Sequence, residues 1–406
     1  IERHAGGGQT VRALASLPAL VGAWRRPGGG LLQLPLWAFP VNWPAFLGAE
    51  LIKPGTRVLN QFLLGRNLIG ETRLDPPIKA LMVYNTNPVV VCPEQDKLIA
   101  GLRREDLFTV VSEHFMTDTA DFADIVLPAT TQLEQLDVMF SWGHLYVTFN
   151  EPAIAPLGEA IPNTELFRRL GQRMGFTEPY FTRTDEEMVA AAFDWSAPAM
   201  AGITVESLRE RGWARLNLPD PDSYAPHAEG NFPTPSGKVE FVASMAAGGN
   251  FVLPLFRQGS NDHQPGTPVD PLPHYIPPRE SAIGTDRGLN LISPKAHAYL
   301  NSSFADQPAQ RRAQGEPVII LNPDDASRRG IADGDEVRVF NDRGEFVVLA
   351  RVSDEVATGV AAAHVGGWRK HARTPATVSA VCPFEFADLG NAPTFSDTLV
   401  EVERVG

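Results

Sequence analysis

Cysteine is nearly absent. Cys92 and Cys382 are the only two in 406 residues, with no CxxC or Cys/His ligand spacing. Within this chain that excludes a disulfide framework, a zinc finger and a cysteine-held iron–sulfur cluster. Long apolar runs are lacking as well. The nearest, LLQLPLWAFPVNWPAFLGAELI (31–52), is interrupted by Pro35, Pro40 and Pro44 and does not read as a membrane span. Basic charge is in deficit: 35 Lys and Arg stand against 48 Asp and Glu, a net charge of −13. Such a chain is poorly suited to a nucleic-acid backbone, which needs clustered positive charge. A small anion held by local donors stays open. No GxGxxG joins a strand to a helix, which removes the usual nicotinamide fingerprint. The chain opens at Ile1, with no Met and no signal peptide, and runs almost at once into a helical pattern. The expectation is a portion of a longer protein.

What is present supports a large core. Hydrophobic residues make up 43% and charged residues 20%, and the length suits two to four domains of ~100–200 residues. Val11, Leu14, Leu17 and Leu20 recur at helical spacing and predict a helix over 9–24. Gly6-Gly7-Gly8 before it read as a flexible turn, since the triplet lacks a phosphate-loop spacing. Residues 31–77 read as an irregular, Pro-rich surface excursion. Strands are expected at 80–84, 107–112 and 124–128, with helices over 94–104 and 164–174, the latter capped by Asn163. This is a βαβ pattern and predicts a parallel sheet. FPTPSGKVEFV (232–242) reads as a turn and an alternating strand. After Gly288 the chain changes character. LNLIS, PVIIL, DEVRVFN, FVVLARV, GVAAAHV and TLVEVE are short strands between Gly/Asp turns, NDRGE is a hairpin signal, and a short helix at 322–330 is capped by Asp324 or Asp325. The division expected is an α/β domain over 1–270 and a β-barrel over 288–406.

One stretch carries unusual chemistry. VVSEHFMTDTADFADIVLP (110–128) begins and ends as buried strand, yet holds Ser112, Glu113, His114, Thr117, Thr119 and Asp124 between. Open α/β sheets bind ligands at the carboxyl ends of their strands, where such groups collect. Asn85 and Asn87 form a second polar turn after the preceding strand. Thr117 and Thr119 serve equally as helix caps, and Asp124 as a structural bond ahead of a strand. In the barrel, SPKAHAYLNSS (293–303) is a polar loop with Lys295, His297, Asn301 and Ser302.

Several separated motifs in one order are similar to a known family. They are LPALVGAWRRPGGG (17–30), VYNTNPVVVCP (83–93), EDLFTVVSEHFMTDTADFADIVLPATTQLEQ (105–135), FPTPSGKVEF (232–241), LNLISPKAHAYLNSSF (289–304), VIILNPDDASRRGIADGDEVRVFNDRG (318–344) and FADLGNAPTFSDTLVEVE (386–403). The chain resembles the C-terminal half of the molybdopterin oxidoreductases, the dimethyl sulfoxide reductase-like superfamily. The resemblance implies an α/β, Rossmann-like parallel-sheet domain followed by a double-psi β-barrel that binds a dinucleotide. It implies a molybdenum (or tungsten) bis-molybdopterin guanine dinucleotide cofactor and two-electron or oxygen-atom-transfer chemistry. An electron-transfer partner and the N-terminal half of the enzyme are implied with it. An iron–sulfur cluster would lie in that half.

By the same resemblance Asn85, Asn87, Ser112, Glu113, Thr117, Thr119 and Asp124 face the cofactor from the α/β side. Lys295, His297, Asn301, Ser302 and Asn391 face it from the barrel. Relatives often carry Gly at 391 and Asn where Ser379 stands. No metal ligand is assigned, because neither cysteine lies in a ligand's context; Cys92 reads as a small buried hydrophobe. His114, His144 and His297 are the histidines placed for proton transfer, while Trp142 and Tyr146 read as core. The alternative is a non-catalytic relative such as the large electron-transfer subunit of respiratory NADH dehydrogenase.

Overall fold

Strands β1 (Ala80–Tyr84), β2 (Phe108–Glu113) and β3 (Ile125–Pro128) form a parallel sheet in which Met82 pairs with Val110 and Val110 with Ile125. The computed structural model describes residues 1–48, 51–248, 270–283, 288–389 and 392–406. Between β1 and β2 runs the helix Gln95–Leu102. It buries Leu98, Ile99 and Leu102 against Leu68, Val89 and Leu107, as the apolar periodicity predicts. The helix Asn163–Arg173 starts and ends one residue before the expected 164–174, so the expected cap Asn163 is its first residue. Its N-cap is Pro162, without a side-chain cap bond, so Asn163 is left free for another task.

A small antiparallel sheet follows: β4 (Asp137–Met139), β5 (Tyr146–Asn150) and β6 (Trp213–Arg215). Its core joins Val147 and Phe149 to Phe193, Met200, Leu208 and Leu216. Phe39 and Val41 belong to that core, and Leu68 to the one under the parallel sheet. The Pro-rich stretch is therefore partly structural, not only a surface excursion. Trp142 is 66% exposed, against the expectation of a core residue, because it sits in a loop ahead of β5. Residues 238–242 form no strand. The turn before them is real, with the Gly237 amide donating to the Thr234 carbonyl at 3.0 Å. Alternation makes a strand only where a neighbour pairs with it.

The barrel strands are β7 (Leu289–Ile292), β8 (Val318–Leu321), β9 (Glu336–Asn341), β10 (Gly344–Val352), β11 (Val360–Ala363) and β12 (Leu399–Arg404). They close in the order β10-β8-β11-β7-β12-β9. The pairs β8/β10 and β7/β11 are parallel; the other four are antiparallel. Leu289, Leu291, Ile319, Leu321, Val337, Val339, Phe346 and Val400 fill the interior. All six predicted strands are present, and Asn341 pairs with Gly344 across the predicted hairpin. The short helix Pro323–Arg328 is capped by Asn322, whose side chain accepts from the Asp324 amide at 3.0 Å. Asp325 instead turns inward and accepts from the Gly359 amide at 2.7 Å.

The glycine triplet is not a flexible turn. A Cβ on Gly8 would lie 2.5 Å from Leu389, and one on Gly7 2.4 Å from the Glu2 carbonyl. This close packing brings the start of the helix Gly7–Leu20 onto the barrel, where Gly8 and Gln9 amides donate to the two carboxylate oxygens of Asp388, both at 2.8 Å. The anion at this positive helix end is thus a side chain of the same chain.

Candidate functional site

The carboxyl ends of β1 and β2 face those of β7 and β11 across a crevice of about 740 Å³. Asn85 and Asn87 follow β1, Ser112 and Glu113 end β2, Lys295 follows β7, and Trp368 lies on the loop after β11. Thr117, Asn301 and Ser302 complete the set of predicted residues that line it. Two polar loops separated by some 170 positions in the chain thus form opposite walls of one cavity.

Asn87 is the best-defined donor. It is 4% exposed, and its Oδ1 accepts from the Thr119 hydroxyl at 2.7 Å and the Thr119 amide at 3.3 Å. Since a backbone N–H can only donate, this fixes which amide atom is oxygen. The Nδ2 group is then buried with no protein acceptor, on a residue that lines the crevice. An orphaned buried donor costs about 1–3 kcal/mol, so an arriving acceptor is favoured there. Asn85 adopts a left-handed backbone (φ 54°), and its Oδ1 accepts from Asn163 Nδ2 at 2.9 Å. The Ser112 hydroxyl donates to Asn163 Oδ1 at 3.3 Å. Glu113 Oε1 accepts from the His114 amide at 2.8 Å, while His114 Nε2 donates to the Thr130 carbonyl at 2.8 Å. The Thr117 hydroxyl accepts from the Ala120 amide at 3.2 Å, so it caps a turn and lines the crevice together.

The barrel wall supplies positive charge. Lys295 and Arg3 both line the crevice, and among the described residues neither has a carboxylate oxygen within ion-pair distance. Partial burial and the nearby Arg3 guanidinium lower the pKa of the Lys295 ammonium. Arg3 lies over the Phe395 ring, 5.9 Å from its centroid. Arg3 and Lys295 bring two positive charges together in a chain of net charge −13. Asn301 is left-handed (φ 52°) and is crossed by Gly366, where a Cβ would lie 2.0 Å from the Asn301 carbonyl oxygen. Only glycine fits that crossing. The Trp368 indole donates to the Ser302 carbonyl at 2.9 Å, tying the two barrel loops.

Three expected residues stand apart from this set, and a fourth is not described. Thr119 is fully buried one layer behind Asn87; its hydroxyl orients that side chain and accepts from the Val89 amide at 3.1 Å. Asp124 lies at the amino ends of the strands, the far end of the sheet, where its carboxylate accepts from the Thr109 amide at 2.6 Å. Its structural role is the one seen. His297 is exposed and does not line the crevice; its backbone amide donates to Gln314 Oε1 at 3.1 Å. Asn391 lies outside the described residues. His144 is also away from the crevice, its Nδ1 accepting from the Tyr146 amide at 3.2 Å. The sequence reading missed Arg3, Asn163 and Trp368. Nothing local marks them: Arg3 and Trp368 line the crevice, and Asn163 bonds Asn85 and Ser112 beside it, each through long-range packing.

The two thiols offer no thiolate at neutral pH. Burial pushes Cys92 and Cys382 up to about 12. Among the described residues there is also no group of three or more His, Cys, Asp or Glu that could hold a metal. Among them no helix is long and apolar enough to cross a membrane.

Two family models match: Molybdopterin oxidoreductase over residues 1–173, and the Molydopterin dinucleotide binding domain over 289–399. The Probable oxidoreductase YoaE of Bacillus subtilis (strain 168) is 35% identical over 406 residues, covering 100% of this chain and 55% of the relative. Dimethyl sulfoxide reductase DmsA of Escherichia coli (strain K12) is 30% identical over 90% of this chain and 47% of its own length. Biotin sulfoxide reductase of Cereibacter sphaeroides is 29% identical over 91% and 51%. Acetylene Hydratase from Pelobacter acetylenicus shares the fold, with a TM-score of 0.65 and 22% identity over 86% of this chain and 47% of that one. The chain spans about half the length of these relatives. With both family models matched in order, and with the parallel sheet and closed barrel they would occupy, the chain belongs to the molybdopterin oxidoreductase superfamily.

Proposed function

We propose that this chain grips a pterin guanine dinucleotide within a molybdenum oxidoreductase that carries out two-electron redox or oxygen-atom transfer. The observation that carries the reading is the crevice itself: Asn87, with its orphaned amide, lines one wall, and Arg3 and Lys295 line the other. These groups suit the ligand's chemistry. Cations and hydroxyls such as Ser303 meet a diphosphate; Asn87, Asn85 and Glu113 meet the donors and acceptors of a guanine or pterin ring. When bound, the metal-bearing pterin supplies the redox step, and the protein binds, orients and tunes it. His114 lines the crevice and is the residue of this chain placed to move a proton at its Nδ1, since its Nε2 is engaged by Thr130. The names of the sulfoxide reductase relatives support a substrate that accepts or gives up an oxygen atom. An electron-transfer protein would be the redox partner.

The competing reading is a non-catalytic relative that keeps the fold without the cofactor. A built crevice with unused donors argues against it, because unused buried polar groups cost stability. Metal analysis of the purified full-length protein, with assay of pterin and of guanine nucleotide released on denaturation, tests the proposal. Molybdenum or tungsten with pterin and guanine nucleotide in stoichiometric amount is expected. Protein that contains none of these after expression in a cofactor-producing host refutes it.

A further inference from the structure

We propose that Asp118 is the positioning residue that fixes the spacing between the two walls of the crevice. The inference rests on the reading of that crevice as a nucleotide site. Asp118 is 1% exposed and reaches across from the α/β module to the barrel. One carboxylate oxygen accepts from the Arg369 amide at 2.5 Å, the other from the Lys370 amide at 3.1 Å. The barrel answers with the Lys370 ammonium, which donates to the Met116 carbonyl at 2.6 Å and to Asp121 Oδ1 at 3.0 Å. Each module therefore places one charged side chain on the other, and both sit at the same turn.

The position of this clasp gives it leverage. Thr117, one residue before Asp118, lines the crevice; Thr119, one residue after, orients Asn87. On the barrel side Trp368 precedes Arg369, lines the crevice and donates to Ser302. His371 stacks on Trp368 at 6.1 Å and bonds Asp306 Oδ1 at 2.6 Å, which stiffens the turn from behind. Other cross-module bonds lie outside the 112–124 loop. Gln95 and Thr377 bond reciprocally at 3.2 Å, and the Ser379 hydroxyl donates to the Val90 carbonyl at 2.6 Å. Among the described residues, the cross-module hydrogen bonds of the 112–124 loop all run through Met116, Asp118 and Asp121 to Arg369 and Lys370. Without them that loop has no hydrogen bond to the barrel.

Asp118→Asn is the informative change, because it keeps size and shape. An amide has one acceptor oxygen, and its NH₂ group then faces a backbone N–H that needs an acceptor. The test titrates GDP, as the nucleotide probe, into cofactor-free full-length protein by calorimetry. Amide exchange of residues 366–371 is measured by mass spectrometry alongside. Asp118→Asn and Lys370→Met are each expected to weaken GDP binding roughly 10-fold, as for one lost hydrogen bond to a charged group, and to speed exchange at 369–370. Val402→Ala, a truncation in the barrel core, is the control for stability loss alone and is expected to leave GDP affinity unchanged. Unchanged GDP affinity in Asp118→Asn overturns the inference, even with faster exchange. So does an equal loss of affinity in Val402→Ala. Wild-type protein that binds no GDP overturns the nucleotide reading of the crevice itself, a result distinguishable from the other two.

Discussion

Replacing Thr119 with valine removes one hydroxyl from a site 0% exposed and tests how the Asn87 donor is aimed. Two hydrogen bonds go with it: Thr119 to Asn87 Oδ1 at 2.7 Å, and the Val89 amide to Thr119 at 3.1 Å. Asn87 Oδ1 keeps the weaker Thr119 amide at 3.3 Å. The Val89 amide, on a residue 0% exposed, loses the hydroxyl acceptor. An unsatisfied buried donor costs about 1–3 kcal/mol and a lost neutral hydrogen bond about 0.5–1.5 kcal/mol. The expected destabilisation is therefore about 2–4 kcal/mol, although valine and threonine are nearly equal in volume. Urea denaturation followed by circular dichroism measures it, with GDP titration of the folded protein beside it. Affinity should fall as well, since Asn87 can then rotate away from the crevice. A stability loss under about 0.5 kcal/mol would refute the reasoning. Equal damage from Thr119→Ser, which keeps the hydroxyl, would refute it too.

Arg3→Ala and Lys295→Ala should each weaken GDP binding about 3- to 10-fold, the range for a partly exposed charge-assisted contact; the double variant should also flatten the salt dependence of binding. Gly366→Ala should cost about 2 kcal/mol or more, because its φ of 94° and the Asn301 carbonyl 2.0 Å from the new Cβ both oppose a side chain; thermal melting checks this. Glu94 is buried and paired with Arg66 at 2.6 and 2.7 Å, and that guanidinium with Lys97 outweighs burial and holds its carboxyl below the ordinary value. A lowered carboxyl pKa binds fewer protons in the folded state, so its stabilisation is present above about pH 4.5 and is lost as pH falls through the folded value. Glu94→Gln should lower stability at neutral pH and make the acid side of the stability profile flatter, as read by denaturation midpoints between about pH 3 and 7.

The predicted strands and helices were legible because they rest on local rules. The apolar run in 318–321, the alternation in 336–352, the two-residue turn at Asp342-Arg343 and the apolar spacing over 95–102 each lie within one short window. The small sheet β4–β6 escaped notice because its strands are three to five residues long and β6 pairs from some 65 positions away, so alternation has too short a window to show. Residues 238–242 carried the local signal of a strand and lack the paired neighbour. Of the site, the residue types at the ends of β1, β2 and β7 were visible as polar clusters following apolar blocks. Their orientation was not. Thr117 and Thr119 look alike in TDTA, yet one lines the crevice and the other sits behind it, a distinction set by packing against Asn87 and Val89.

The sequence alone determined the class of each module, the strand-end loops that would carry polar groups, and the superfamily, since these depend on short-range periodicity, turn chemistry and ordered motifs. Tertiary structure alone decided that Arg3 would stand beside Lys295, that Asn163 would bridge Asn85 and Ser112, and that Asp118 would close on Arg369 and Lys370. Those meetings join residues tens to hundreds of positions apart. No local spacing encodes them, because what brings them together is the burial of two cores against each other and the need of each buried polar group for a partner.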